Sequence, residues 1–188
     1  MDWRGKRLSA AVPRMVLLLA TSTAPLLAPY TDPEGAFRVL RPVGWRVERV
    51  QVGLLETVFY RDHPRRGPRV VVIPEAPVAA STLREATCLL LQYVRPANPS
   101  APPRPGPWPE RTCPFPWSFR AGSRISGEGA ATWRASTVRE RALFRIRPLG
   151  ELRAGGLEVA FLAVVSPAGE FASFERVFRR ILESYRAP

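Results

Sequence analysis

The feature that most constrains the fold is the stretch 32–45, in which two turns enclose a short strand. Residues 32–35 are Asp-Pro-Glu-Gly, which is typical of a tight turn because proline presets φ and glycine tolerates positive φ. Residues 37–41 follow with a period of two, which predicts a short strand that Pro42 ends. Gly44 and Trp45 open the next segment, so we expect a second turn followed by a buried tryptophan.

Alternating and continuous apolar segments predict further strands along the chain. We expect strands at 45–50, 54–60, 69–74, 129–137, 142–147 and 157–165, the last three as an antiparallel meander. The unbroken apolar run at 69–74 favours a central strand that is covered on both faces. With 188 residues, of which 46% are hydrophobic, the chain can form one domain with a substantial core.

Two segments have helical periodicity. Ser81 and Thr82 precede Glu85 in the arrangement of a capping box, which predicts a helix that begins here and ends before Pro96. Residues 170–185 place apolar side chains on one face of a helix and charged ones on the other. We expect this second helix to close the core, although a helix that lies on a membrane has the same pattern. Nine of the 23 residues at 95–117 are proline, which favours an extended loop insertion.

The N-terminal residues have the pattern of an export signal. Four basic residues within 4–14 precede an apolar run at 15–20, which is too short for a membrane span. Cleavage after Ser22 fits better than cleavage after Ala24 or Ala28, because a proline follows each of the latter two. We therefore predict a signal peptide or N-terminal anchor at 1–28, a domain at 29–188, and a periplasmic or other extracytoplasmic, membrane-associated location. The alternative is an irregular N-terminus on a cytoplasmic protein.

The chain has two cysteines, Cys88 and Cys113. In an exported protein an even number of cysteines favours a disulfide, which here would attach the proline-rich loop to the first helix. The alternative is a pair of free thiols, with Cys88 buried as a small apolar residue. A redox role would need closer spacing than this pair has.

The order of these elements and two motifs resemble the PsbP/DcrB-like family. Residues 32–45 are similar to the family's opening motif, DPEGyF…yPkgW, and residues 171–186 are similar to its last helix. The resemblance extends over about residues 30–186. It implies an α+β fold, namely an α/β/α sandwich with a central, mostly antiparallel sheet. It also implies an exported, non-catalytic protein that works by binding. We expect no cofactor.

The net charge of +12 comes almost entirely from arginine, since Lys6 is the one lysine. This bias is typical of a GC-rich genome, and the arginines are scattered along the sequence rather than concentrated as in a nucleic-acid-binding protein. We expect no nucleic acid partner, but a protein partner or an anionic membrane surface. Arginines are grouped at 65–69, 139–147 and 176–180. The surface-binding candidates are Arg65, Arg66, Arg69, Arg176, Arg179 and Arg180.

No catalytic or metal site is predicted. His63, the one histidine, lies in a polar turn, and no nucleophile-elbow motif accompanies it. One histidine and two distant cysteines match no zinc pattern. We therefore expect a binding or assembly-assisting protein, and an enzyme is the least favoured class. The alternative is a carrier of a small apolar ligand, held between the sheet and the helices near Trp45, Tyr60 and Trp133.

Overall fold

The structure is a computed structural model that describes residues 25–95, 113–121, 126–135 and 137–186. Most of the predicted export signal, and residues 96–112 of the predicted proline-rich loop, lie outside these residues. In chain order the elements are β1 (Leu27–Thr31), β2 (Arg38–Pro42), β3 (Arg46–Val52), β4 (Leu54–Tyr60), β5 (Arg69–Val78), α1 (Leu83–Val94), β6 (Trp117–Ala121), β7 (Gly127–Ala135), β8 (Val138–Glu151), β9 (Leu157–Pro167) and α2 (Ala168–Ser184).

Seven of these strands form one antiparallel sheet in the order β3-β4-β5-β9-β8-β7-β6. Helix α1 packs on one face, and α2 packs on the other together with the separate β1-β2 hairpin. Strand alternation divides the core, since Val71 and Ile73 face α1 whereas Val70 and Val72 face α2. The predicted α/β/α sandwich with a central antiparallel sheet is confirmed.

The first turn and the first helix form for the reasons that the sequence suggests. Gly35 and Gly44 both have positive φ, at 78° and 81°, so each tight turn needs its glycine. At the start of α1 the Thr82 hydroxyl accepts the Glu85 N–H at 3.2 Å, and the Glu85 carboxylate accepts the Ser81 N–H at 2.8 Å. The first bond is the N-cap half of the predicted capping box, while Glu85 reaches one residue further back than the usual capping box, to the N–H of Ser81.

Helix α2 closes the second layer of the core. Its apolar side chains are buried against the sheet and the β1-β2 hairpin, and Phe178 is completely buried. The apolar face is therefore occupied by the protein itself and is not free to lie on a membrane. Among the described residues, neither helix combines the length and the apolar character that crossing a bilayer requires.

Two strands were not predicted, and one of them moves a boundary. β1 begins at Leu27, inside the segment that we assigned to the export signal, and Leu27 and Ala28 pair with Pro42 and Arg41. The domain therefore begins before residue 29, and cleavage after Ala28 would remove two residues of a paired strand. The second strand, β6, lies at the edge of the sheet beside β7 and begins at Trp117, the last residue of the segment that we expected to be a loop.

Candidate functional site

A buried ion pair lies in the α1 layer and includes two of the predicted site residues. Arg69 donates from Nη1 and Nη2 to the two carboxylate oxygens of Glu140, at 2.7 and 2.9 Å. Trp133 donates its Nε1–H to Glu140 at 2.9 Å, and Arg69 also reaches the Gly67 carbonyl at 3.1 Å. Arg69 is only 1% exposed, so its assignment to the binding surface was wrong. The pair links β5 to β8 across β9 and satisfies its own charges.

A second buried carboxylate lies on the same side of the sheet. Glu56 on β4 is fully buried, and Arg65 from the following turn places Nη2 2.5 Å from its Oε1. Burial raises the pKa of Glu56, and the charge of Arg65 opposes that effect. Arg65 is half-buried over this carboxylate, so it points inward and is not a free surface cation.

The predicted ligand pocket does not form, because its three aromatic residues lie on opposite faces of the sheet. Trp45 packs in the α2 layer, with its ring centroid 6.1 Å from that of Phe174. Tyr60 and Trp133 belong to the α1 layer, where Trp133 packs against Phe115 at 5.6 Å. The pocket was predicted wrongly because the alternation of side chains along separate strands does not show which of the three aromatic residues lie on the same face of the sheet.

His63 has a local structural role. Its Nδ1 accepts the N–H of Arg65 at 3.0 Å, and its backbone carbonyl accepts the N–H of Arg66 at 3.3 Å, which stabilises the turn between β4 and β5. The side chain is exposed. Within the described residues, no group of three or more histidine, cysteine, aspartate or glutamate side chains is arranged to bind a metal.

Cys88 and Cys113 form a disulfide, with their Cα atoms 5.5 Å apart. Cys88 is buried on α1, and Cys113 lies just before β6. Phe115, two residues further on, is buried in the α1 layer. The bond therefore attaches the end of the proline-rich segment to the first helix.

A large exposed surface of positive charge lies on the α2 side of the sheet. Helix α2 packs on β8, β9 and β2, and strand alternation turns polar side chains of β6, β7 and β8 to the same side. A depression of about 450 Å³ lies there between α2 and the strands, with Ser118, Ala130 and Leu143 in its lining. We give the name arginine face to six of the arginines on this side, namely Arg120, Arg134, Arg139, Arg141, Arg145 and, from α2, Arg179.

Half of the arginine face has partners within the protein. Arg141 stacks over the Phe171 ring at 4.6 Å. Arg145 donates to the Leu182 carbonyl at 3.1 Å and lies 3.6 Å from Glu128. Arg179 donates to Glu175 at 2.6 Å. These contacts hold the three guanidinium groups at fixed positions around the depression.

The other half has no such partners. Arg134 and Arg139 are directly opposite each other in the β7-β8 register, and both are exposed. The side chain of neither makes a hydrogen bond or an ion pair with another described residue. Arg120 on β6 is also exposed and lines the depression. The middle group of arginines in the sequence thus contributes more to this surface than the candidates that we selected.

The remaining candidates lie on the surface at two separate places, one in a turn and three on α2. Arg66 is exposed in the turn between β4 and β5. Arg176 and Arg180 are exposed on α2, and neither is part of the lining of the depression. Of the six candidates, Arg179 alone lines the depression.

Comparison with solved structures identifies the fold. The Ran-binding protein Mog1p of Saccharomyces cerevisiae matches over 87% of this chain and 96% of its own, with a TM-score of 0.53 and 10% sequence identity. This chain has the PsbP-like fold. At this identity the likeness is one of fold alone.

Two further solved structures match the chain with lower scores. Cyanobacterial PsbP from Synechocystis covers 90% of this chain and 96% of its own, at 12% identity and a TM-score of 0.47. LpqN of Mycobacterium tuberculosis, described as involved in cell envelope biogenesis, covers 89% and 94%, at 13% identity and a TM-score of 0.46. No model of a known protein family matches the sequence, and no curated protein matches it.

Proposed function

We propose that this protein is an exported, non-catalytic binding or assembly-assisting protein that acts at the outer face of the cytoplasmic membrane. The observation that carries the proposal is the arginine face, a broad positive surface of exposed and half-buried arginines beside α2. Arginine is suited to such a surface because its planar guanidinium binds carboxylates or phosphates in a bidentate way. The protein would therefore act through contact with an acidic partner.

The arrangement of the ionisable groups favours binding over catalysis. General acid–base catalysis needs an acid or base within hydrogen-bond reach of a substrate. Glu140 is buried and held by Arg69 and Trp133, and Glu56 is buried beneath Arg65. His63 uses Nδ1 in its own turn. None of these groups shares an open cleft with a nucleophile among the described residues.

The cysteines and the N-terminal sequence favour export. Disulfides persist in oxidising compartments outside the cytoplasm, and the bond between Cys88 and Cys113 connects two parts of the domain. The basic and then apolar residues 4–20 have the pattern of a signal. Cleavage after Ser22 would leave β1 intact.

Fractionation of the native organism tests the proposal. The protein should be found in the extracytoplasmic or membrane fraction, with an N-terminus near residue 23 or with a retained anchor, as measured by mass spectrometry. Titration of unreduced, denatured protein from this fraction should find no free thiol. Full-length protein that begins at Met1 in the cytoplasm, with two free thiols, would refute export.

A further inference from the structure

We propose that the arginine face binds an extended, acidic segment of a partner protein, which lies along β7 and β8 and enters the depression beside α2. This inference rests on the proposed binding function and specifies its partner. The charge on the surface supports it first. Arg120, Arg141 and Arg179 line the depression, and the other three arginines lie on the same face of β7 and β8. The carboxylates in contact with these arginines are those of Glu128 and Glu175.

The pair Arg134 and Arg139 is the strongest indication of an absent anion. Like charges that are directly opposite each other on neighbouring strands destabilise a sheet. Both side chains are exposed, and neither has an acidic partner among the described residues. A carboxylate placed between the two guanidinium groups would remove the repulsion and form charge-assisted hydrogen bonds with both.

The spacing of the arginines suits an extended chain. From Arg139 to Arg145 along β8 is about 20 Å, since a strand rises roughly 3.3 Å per residue. Arg139, Arg141 and Arg145 are on the same face because alternate side chains point the same way. An extended segment of about six residues has the same length, and its alternate side chains would face these arginines.

The shape of the site favours a polypeptide over a membrane. The depression is recessed between α2 and the strands, and its lining includes Ala130, Leu143 and Leu182 as well as arginine. A flat bilayer surface would contact the exposed arginines but would not reach these apolar side chains. An acidic segment that also carries apolar side chains on the side facing the arginines would contact both.

Peptide binding by the purified protein tests the inference. The probe is a labelled peptide with glutamate or valine at every second position and serine between them, so that carboxylates and apolar side chains face the same way when it is extended. Its reference is the same peptide with glutamine for glutamate. The double variant Arg134→Gln/Arg139→Gln should bind the acidic peptide at least about tenfold more weakly than wild type, a difference that fluorescence anisotropy resolves. The matched control is Arg176→Gln/Arg180→Gln, which removes the same charge from exposed positions on α2 that are not part of the arginine face and should change the affinity less than about threefold.

Several results would overturn the inference. These are no binding of the acidic peptide, equal binding of the glutamine peptide, or equal losses in the two double variants. Tighter binding to vesicles of equal parts phosphatidylglycerol and phosphatidylcholine, with the same dependence on Arg134 and Arg139, would assign the surface to a membrane instead. Thermal unfolding of the first variant should occur at or above the wild-type temperature, because the substitution removes a repulsive pair. The assay uses purified protein, so its failure is distinguishable from a failure of export.

Discussion

Burial gives arginines that are close in the sequence different roles in this protein. Arg66 is exposed in a turn, whereas Arg69, three residues later, is buried and bonded to Glu140. Position within the strand makes the difference, because Arg69 has the same alternation as Val71 and Ile73 and so faces α1. A charged residue at the start of an apolar run was interpreted as a surface residue, and its buried partner, 71 residues away, leaves no local signal in the sequence.

Replacing Arg69 with methionine should strongly destabilise the protein. The substitution leaves Glu140 as a buried carboxylate with the Trp133 N–H as its remaining donor. Removal of one member of a buried ion pair costs about 3–5 kcal/mol. Urea denaturation measures the loss, and Arg66→Met, an exposed control, should change the free energy of unfolding by less than about 0.5 kcal/mol. Equal effects of the two variants would contradict the structural role of the pair.

Glu56 should make the stability depend on pH. Burial raises its pKa in the folded state above the ordinary value of 4.5, so the folded state binds a proton more tightly than the unfolded state does. Its contribution to stability is therefore complete below the ordinary value and is lost as pH rises through the folded pKa. Urea denaturation at acidic and neutral pH should show that Glu56→Gln reduces the loss in the free energy of unfolding that wild type shows as the pH rises. Parallel profiles for wild type and variant would show that Glu56 does not titrate in this way.

At the scale of elements, periodicity and turn chemistry predicted most of the fold. The predicted span of β4 is the observed one, and α1 and α2 begin within two residues of their predicted starts. β1 and β6 were missed because each is short and pairs at an edge, and because β6 follows a segment rich in proline. Edge pairing depends on which partner strand is free, and local sequence does not carry that information.

Helix α2 should contribute a large part of the stability of the domain. Phe178 is completely buried, and its ring centroid lies 5.7 Å from that of Phe171 and 5.5 Å from that of Phe174. Phe178→Ala should cost about 3–5 kcal/mol, since it leaves a cavity in the core. Thermal and urea unfolding measure the change, with the exposed Arg180→Ala as the control. A melting temperature within a degree or two of wild type would mean that α2 does not close this layer.

At the scale of the whole molecule, the described charged groups with no partner inside the domain lie on the surface of the sandwich. The two core layers are closed by α1 and by α2, and the buried carboxylates of Glu56 and Glu140 contact arginines of the same domain. The net positive charge is visible in the sequence, but the position of the arginine face is not. That surface combines residues from three strands and one helix, so only the register of β6, β7 and β8 reveals it.

Site-specific photo-crosslinking in the native organism tests most directly whether this is an exported protein that binds through the arginine face. A photoreactive residue replaces Ser118, which is exposed in the depression, and a control replaces Leu149, which is 40% exposed in a different depression beside the start of α1. We expect a protein adduct from position 118 in the extracytoplasmic or membrane fraction, and its loss when Arg134→Gln/Arg139→Gln is added. Equal adducts from position 149, adducts confined to the cytoplasm, or adducts that survive the double substitution would contradict the account.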